Sequence, residues 1–251
     1  MLGTLTPITR NLIILNVLLY TVSNFLFPYL YTILPAYYPF SPNFRSWQIV
    51  THMFMHASFS SGTGIAHILF NMLTLWSFGP VLESYLKEKR FLILYFASGL
   101  GAFLLFNLWN FFEVYQITQS LKNMEVDPTD IYTISDLEYT GIRSLGKIDP
   151  AARQASQSLL EALTVPMLGA SGAIFGVIAA FSTLFPNARL FFMFIPFPIK
   201  AKYLFPIIMV ISLYLGLSST LSNIAHFAHI GGAIVGFFLA KIWNKNKYRI
   251  Q

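Results

Sequence analysis

The sequence lacks cysteine altogether and has few charged residues. Without cysteine the chain can form no disulfide bond, no thiolate metal site and no cysteine nucleophile. Charged residues make up 10% of the 251 positions, whereas soluble domains carry about 25%. Together with 55% hydrophobic residues and a mean hydropathy of +0.61, this scarcity of charge predicts an integral membrane protein.

The net charge of +6 does not indicate a nucleic-acid partner. The sixteen Lys and Arg residues are scattered along the chain, and they form no basic surface interleaved with aromatic residues. We therefore predict no nucleic-acid binding and interpret the positions of these residues as membrane topology.

A membrane-spanning helix needs roughly 20 mostly apolar residues, and six stretches of the chain meet this requirement. They cover approximately residues 11–30, 66–84, 91–111, 167–185, 203–221 and 224–243. The first stretch lacks an A-x-A-like cleavage site, so we expect a retained helix and not a signal peptide. The expected fold is a single all-α membrane domain over residues 1–251, a bundle of six transmembrane helices.

The distribution of charge predicts the orientation of this bundle. Eleven of the sixteen Lys and Arg residues lie in segments on the same side as the N-terminus, and eight of the ten acidic residues lie on the opposite side. Because Lys and Arg concentrate in cytoplasmic segments, both termini are expected inside the cell. The expected location is the bacterial cell (inner) membrane.

Two long segments are expected on the outer side. Residues 31–65 are rich in aromatic residues and proline, which favours a structure lying in the membrane interface. Residues 112–165 hold most of the acidic residues and are expected to form an extracytoplasmic insertion between the third and fourth helices. The insertion ends in "DPAARQASQSLLEAL", a pattern typical of a capped amphipathic helix.

Polar residues lie close to the expected outer ends of three predicted helices. Ser171 begins the fourth helix, His229 lies early in the sixth, and His67 and Asn71 lie early in the second. Ionisable residues are costly in lipid and indicate function. At 1.5 Å of rise per residue, these four side chains are expected at one shallow depth, which predicts a shared cavity.

Small residues repeat every four positions in two of these helices. They are Gly172 and Gly176 in the fourth helix, and Gly232 and Gly236 in the sixth. Such small-xxx-small patterns let membrane helices approach closely, so we expect the two helices to pack together and bring Ser171 near His229. His226 lies three residues before His229 on nearly the same face, and we expect it to support the site.

Each of these residues also has a structural interpretation. Ser171 taken alone is typical of a packing residue in a membrane helix, and His67 with Asn71 is compatible with a structural hydrogen-bonded pair. His52 and His56 have the spacing of two zinc ligands, but the third ligand and the glutamate of an H-E-x-x-H motif are missing. We therefore predict no metal site.

A serine beside a histidine permits nucleophilic catalysis, because the imidazole can take the hydroxyl proton. The oxyanion formed by attack on a peptide carbonyl needs hydrogen-bond donors, which Asn71, His67 and the backbone N–H of Ser171 offer. Neither the fourth nor the sixth predicted helix contains Asp or Glu. The sequence therefore predicts a Ser–His dyad without an orienting carboxylate.

Several motifs resemble those of the rhomboid intramembrane serine proteases. They are "GASG" around Ser171, "AHIGGAIVG" with His229 and "HILFNM" with His67 and Asn71, together with "WQIVTHMFMH", "SFGPVLE" and "PNARLFFMFIPFPIKAKY". The resemblance covers all six predicted helices, and residues 112–165 are its main excess.

The resemblance implies a role for each residue of the site. Ser171 is implied as the nucleophile, His229 as the general base, and His67, Asn71 and the Ser171 backbone N–H as the oxyanion hole. Gly169 is implied to let the substrate backbone approach. Phe175 is implied to stack on the His229 ring and to orient it in place of a carboxylate.

The resemblance also implies the partners of the chain. Substrates of the family are single-pass membrane proteins, cut near the outer end of the transmembrane helix, with membrane lipid around the protein and no cofactor. This chain departs from the family in its first outer segment. Trp47 is followed by Gln48 where the family often has arginine, and "FSSGTGIA" lengthens the approach to His67.

The alternative from another functional class is a rhomboid-like adaptor that binds transmembrane clients without cutting them. Such pseudoproteases usually lack the serine or the histidine, whereas this chain has both. A solute transporter is disfavoured because the sequence has no inverted repeat or pair of broken helices. We therefore expect an intramembrane serine endopeptidase.

Overall fold

A computed structural model describes residues 4–141, 150–190, 198–218 and 223–247, and it is mostly helical. The helices in these ranges are α1 (Pro7–Thr21), α2 (Leu30–Ile33), α3 (Gln48–Thr51), α4 (Gly64–Leu86), α5 (Glu88–Asn123), α6 (Pro128–Ser135), α7 (Pro150–Thr164), α8 (Ser171–Leu184), α9 (Ala201–Ser218) and α10 (Asn223–Lys247). Two short strands, β1 (Arg189–Leu190) and β2 (Ile199–Lys200), pair antiparallel between α8 and α9. The described residues define an all-α membrane protein with one short antiparallel pair of strands.

Each of the six stretches predicted to span the membrane contains a helix, but the helices differ in length. Within the described residues, three are long and apolar enough to cross a membrane: α4, α5 and the part of α10 over His226–Lys245. α8 is apolar but has 14 residues, fewer than the roughly 20 that span a bilayer. α1 has 15 residues and continues as a π-helix over Val22–Leu26.

The start of α1 is fixed by an acidic residue on α4. Helix N-termini leave backbone N–H groups without partners, and Glu83 accepts hydrogen bonds from the backbone N–H groups of Ile8 at 2.9 Å and Thr9 at 2.8 Å. Glu83 is buried, with 3% of its surface exposed. The first helix therefore begins at Pro7 and not near residue 11, because a distant carboxylate caps it.

The third predicted helix is longer than expected. Residues 91–111 were expected to span the membrane, but α5 continues to Asn123, so the first part of the predicted insertion is helical. The sequence has no Gly or Pro between Gly101 and Pro128 to end the helix. Two residues of the extension, Val114 and Leu121, are buried in a cluster with Leu159 and Leu163 of α7, and this packing stabilises it.

Three helices, α5, α8 and α10, form the centre of the bundle, where glycines allow close contact. A Cβ atom at Gly232 of α10 would overlap the carbonyl oxygen of Gly172 on α8, and one at Gly236 would overlap that of Gly176. The glycine pairs predicted from the sequence therefore face each other across the α8–α10 contact.

The fourth predicted helix begins later than expected. Residues 167–170 are not helical, and α8 begins at Ser171. Met167 instead forms an antiparallel bridge with Ala36, in which the two residues exchange backbone hydrogen bonds of 2.9 and 2.7 Å. The first outer segment, predicted over residues 31–65, thus lies at the end of the bundle where α8 begins, called the site end below.

Candidate active site

The central feature of the site end is a hydrogen bond between Ser171 and His229. Ser171 is the first residue of α8, and His229 lies in the second turn of α10. The hydroxyl oxygen Oγ of Ser171 is 2.9 Å from Nε2 of His229. With the imidazole proton on Nδ1, the hydroxyl donates to Nε2, which is the geometry that a serine nucleophile and a general base require.

The ring of Phe175 lies against the imidazole of His229. The ring centroids are 4.0 Å apart and the planes differ by 1°. Phe175 is one turn after Ser171 on α8, so the same helix presents the hydroxyl and the ring that holds the imidazole plane.

His67 lies next to Gly169, near the Ser171 hydroxyl. A Cβ atom at Gly169 would lie 3.1 Å from His67 Nε2 and 3.5 Å from Ser171 Oγ. Gly169 also has φ +122°, a conformation that favours glycine. The backbone N–H of Ala57 donates to His67 Nδ1 at 3.4 Å, so the neutral imidazole carries its proton on Nε2 and is a donor toward the Ser171 side.

Asn71 lies one turn after His67 on α4 and is buried, with 6% of its surface exposed. Its side-chain Nδ2 donates to the carbonyl oxygen of His67 at 2.8 Å. One amide N–H of Asn71 is thus used within the helix, and the pair predicted from the spacing lies on one face.

His56 packs against His67, with ring centroids 5.1 Å apart. Its ring is fully buried, and neither ring nitrogen has a hydrogen-bond partner within the described structure. Burial and the neighbouring His67 lower the pKa of His56 to about 3, so this imidazole is neutral at physiological pH. Among the residues that the structure describes, no three His, Asp or Glu side chains are grouped to hold a metal ion.

His226 lies beside the dyad but does not touch Ser171. Its ring is 6.3 Å from that of His229 in an edge-on arrangement, and its Nδ1 is buried without a hydrogen-bond partner among the described residues. The next residue, Phe227, stacks on Trp109 of α5 with ring centroids 4.1 Å apart. This part of α10 is therefore held against α5 by aromatic packing.

Backbone contacts from the first outer segment hold the loop that precedes Ser171. The N–H of Gly169 donates to the carbonyl oxygen of His52 at 3.0 Å. His52 is buried, its Nδ1 is 2.8 Å from the carbonyl oxygen of Gln48, and burial lowers the pKa of its imidazole to about 4. The role of His52 at this site is carried by its backbone, which sequence patterns did not reveal.

Gln48 organises the outer segment at the position where the family often has arginine. Its side chain is fully buried. Its Oε1 accepts from the N–H groups of Tyr37 and Arg45, and its Nε2 donates to the carbonyl oxygens of Ile33 and Asn43, over 3.1 to 3.3 Å. A neutral amide thus satisfies four backbone groups here, while Trp47 beside it is about half exposed.

The outer segment is also fastened to the insertion by two buried residues that sequence analysis missed. Ser41 Oγ donates to the carbonyl oxygen of Leu163 at 2.7 Å. Asn43 Nδ2 donates to the carbonyl oxygen of Ser135 at 2.8 Å, and its Oδ1 accepts from the N–H of Leu137 at 2.9 Å. The sequence predicted neither contact, because partners some 90 to 120 residues away leave no local signal.

The fold and the site together define a helical membrane protein with a serine hydroxyl hydrogen-bonded to a histidine. A family model described as "Rhomboid domain" matches residues 43–114 and 150–246. The chain belongs to the rhomboid family. The unmatched residues 115–149 lie inside the segment predicted to be an insertion.

Curated relatives agree with the family. The chain is 28% identical over 195 residues to "Rhomboid protease GluP" of Bacillus subtilis, covering 77% of this chain and 25% of the relative. It is 28% identical over 206 residues to "Rhomboid protease AarA" of Providencia stuartii, covering 77% and 54%. It is 28% identical over 187 residues to "Rhomboid protein 1, mitochondrial" of Saccharomyces cerevisiae, covering 73% and 40%. The chain thus spans from a quarter to about half of the length of these relatives.

Proposed function

We propose that the protein is an intramembrane serine endopeptidase that cuts the transmembrane segments of single-pass membrane proteins. The observation that carries this proposal is the 2.9 Å contact between Ser171 Oγ and His229 Nε2. Membership of the rhomboid family and two relatives named as proteases support it.

The reaction follows from the two side chains. Ser171 Oγ attacks the scissile carbonyl carbon while its proton passes to His229 Nε2, which then protonates the leaving amine. A water molecule, deprotonated by His229, hydrolyses the resulting acyl-enzyme and regenerates the serine. Phe175 fixes the plane of the imidazole, the task that a carboxylate performs in a triad.

The oxyanion of each tetrahedral intermediate is stabilised by donors around Gly169. His67 offers its Nε2–H, since Ala57 occupies Nδ1, and Asn71 offers the amide N–H that is not bonded to His67. The backbone N–H of Ser171 at the start of α8 adds a third donor, where the helix dipole also favours negative charge. These donors act in a site with little water, where hydrogen bonds to a charge are strongest.

The proposed topology has six membrane-spanning helices, α1, α4, α5, α8, α9 and α10, with both termini in the cytoplasm and the site end facing outward. The bias of Lys and Arg toward one side supports this orientation. We propose the bacterial cell (inner) membrane as the location, in line with the bacterial relatives GluP and AarA; the Saccharomyces cerevisiae relative is named as mitochondrial. His226 supports the site by packing beside His229.

The test is cleavage of a single-pass transmembrane reporter by the purified full-length chain in liposomes. We expect wild-type protein to cut the reporter and to be labelled by a fluorophosphonate, and Ser171→Ala and His229→Ala each to abolish cleavage. Ser77→Ala is the matched control, because the Ser77 hydroxyl bonds within its own helix on an exposed face.

Wild-type protein that neither cuts a panel of reporters nor reacts with the fluorophosphonate would overturn the proposal. Reporter binding without cleavage would instead identify a non-catalytic adaptor. Cleavage retained by Ser171→Ala would remove the serine from the reaction.

A further inference from the structure

A cavity of about 460 Å³ lies between the outer extension of α5 and α7. Its lining includes Trp109, Phe112, Glu113 and Ile117 of α5, Gln154 and Glu161 of α7, and Val165 just after α7. Its volume is within the range of about 300–1,000 Å³ that ligand pockets in proteins have. The α7 residues that line the cavity do not belong to the Ser171–His229 pair, so the cavity is a separate feature of the molecule.

The polar groups of this cavity carry negative charge that no cation balances. Glu113 and Glu161 contribute carboxylates from facing helices, and no Lys, Arg or His lines the cavity. In the part of the chain that the structure describes there is one ion pair, between Arg45 and Glu138, so neither cavity carboxylate has an ionic partner there. Glu161 is exposed and Glu113 is half-buried, so both carboxylates are accessible to a cation, with which they form charge-assisted hydrogen bonds.

The remaining walls suit the rest of a basic side chain. Phe112 offers an aromatic ring, whose face attracts cations, and Ile117 and Val165 offer apolar surface for an aliphatic stem. Lysine and arginine bury such stems while their charged ends reach polar groups. The cavity therefore matches a Lys or Arg side chain better than an apolar or acidic one.

The cavity lies close to the dyad along two paths. Trp109, in its wall, stacks on Phe227 with ring centroids 4.1 Å apart, and Phe227 is two residues before His229. Val165, at its other edge, is six residues before Ser171. A substrate peptide held at Ser171 extends by at most about 3.3–3.6 Å per residue, so the number of residues from the scissile bond decides which substrate side chain can reach the cavity.

We propose that the cavity between α5 and α7 binds a lysine or arginine side chain of the substrate, in the segment that leaves the membrane next to the cleavage site. This inference rests on the proposed protease function. It assigns to the α5–α7 unit a role in selecting substrates by charge, with Glu113 and Glu161 as the recognising groups.

The test uses full-length protein in liposomes and matched reporters that carry Lys, Gln or Glu at one position outside the membrane. That position is moved residue by residue away from the scissile bond. At the best position we expect KM for the Lys reporter to be about fivefold lower than for the Gln reporter, and KM for the Glu reporter to be higher. Glu161→Gln and Glu113→Gln are each expected to make the KM for the Lys reporter similar to the KM for the Gln reporter.

Asp130→Asn is the matched control for these variants. Asp130 is an exposed acid on α6 outside the cavity, so its substitution removes the same charge and is expected to keep the preference for Lys. The thermal unfolding midpoint of each variant shows that it is folded. If Glu113→Gln does not fold, Glu161→Gln alone decides.

A binding experiment gives a second measurement. Because the chain has no cysteine, Gln154→Cys places a single thiol at the cavity, and Asp130→Cys places one elsewhere on the insertion. In a Ser171→Ala background with copper–phenanthroline added as the oxidant, a reporter with a cysteine beside its Lys is expected to form a disulfide with the thiol at position 154 and not with that at position 130.

Two outcomes overturn the inference while leaving the protease function intact: cleavage with no dependence on reporter charge, or a Lys preference that both glutamate variants keep. Absence of cleavage and of fluorophosphonate labelling in wild-type protein contradicts the protease function itself. The two failures are therefore distinguishable.

Discussion

The phenyl ring of Phe175 and the imidazole of His229 lie parallel, with centroids 4.0 Å apart and planes differing by 1°. Neither α8 nor α10 contains an Asp or Glu residue. We propose that this ring contact orients the imidazole plane, as a carboxylate does in a triad. The contact links two helices that also touch through their glycines.

Substitution of Phe175 is expected to lower the turnover rate. Phe175→Leu removes the stacking surface and lets the imidazole rotate, and an aromatic contact of this kind contributes about 1 kcal/mol. We expect kcat on a transmembrane reporter to fall about tenfold, with Phe175→Tyr restoring most of it. A Phe175→Leu variant with wild-type kcat would show that the stack does not orient His229.

The catalytic and structural roles of Asn71 can be distinguished by a matched substitution on another helix. Asn107 on α5 makes the same intrahelical bond, with Nδ2 donating to the carbonyl oxygen of Phe103 at 2.8 Å. If Asn71 supplies an oxyanion donor, Asn71→Ala loses roughly 10²-fold in kcat, whereas Asn107→Ala stays near wild type. Equal, small losses in cleavage assays of both variants would leave Asn71 with a structural role only.

The close contact of α8 and α10 predicts a cost for any side chain at Gly232. A Cβ there would overlap the carbonyl oxygen of Gly172, and overpacking typically costs about 1–3 kcal/mol. We expect Gly232→Ala to lower the free energy of unfolding by this amount, measured by denaturant titration in detergent micelles. Ile234→Ala, on an exposed face of α10, is the control, and a similar loss there would contradict the explanation.

The hydrogen bonds of Asn43 are expected to stabilise the contact between the predicted insertion and the site end. Asn43→Ala removes the hydrogen bonds that Asn43 makes with the Ser135 carbonyl and the Leu137 N–H, and the loss of such buried bonds costs about 1–3 kcal/mol. We expect faster hydrogen exchange at the Leu137 amide and a lower unfolding midpoint. Asn123→Ala, at the exposed end of α5, is the control and is expected to change neither. Unchanged exchange in Asn43→Ala would show that these hydrogen bonds do not stabilise the contact.

Burial of His52 predicts that acid destabilises the fold. The pKa of His52 is lowered from about 6.5 to about 4, so between these pH values the unfolded state binds a proton that the folded state does not. Stability contributed by the neutral imidazole is present above pH 6.5 and is lost as the pH falls. At pH 5 this amounts to about 2 kcal/mol.

Unfolding midpoints measured from pH 8 to pH 5 check this sign. His52→Asn keeps an N–H donor for the Gln48 carbonyl but does not titrate, so its midpoint is expected to fall less steeply with acid than that of wild type. Parallel slopes for the two proteins would show that His52 is not a source of the acid sensitivity.

The sequence predicted the positions of the helices better than their ends. Apolar runs indicated α4, α5 and α10, because mean hydropathy depends only on the residues of a segment and not on the helices that pack against it. The continuation of α5 past residue 111 depends on Val114 and Leu121 packing against α7, and the start of α1 depends on Glu83 of α4. Such boundaries are set by partners distant in sequence.

The sequence by itself determined the residue types available to the site. It provided a serine and a histidine near the ends of two glycine-rich helices, His67 and Asn71 one turn apart, and no carboxylate or thiol nearby, since these follow from composition and from the helical period.

Only the tertiary structure decided how those groups meet. Three contacts join residues that lie 58 to 131 positions apart in the chain. They are the 2.9 Å contact of Ser171 with His229, the bridge of Ala36 with Met167, and the hydrogen bonds of Asn43 with Ser135 and Leu137. Contacts over such separations arise from packing of whole helices, and no local sequence pattern encodes the distance between two packed helices.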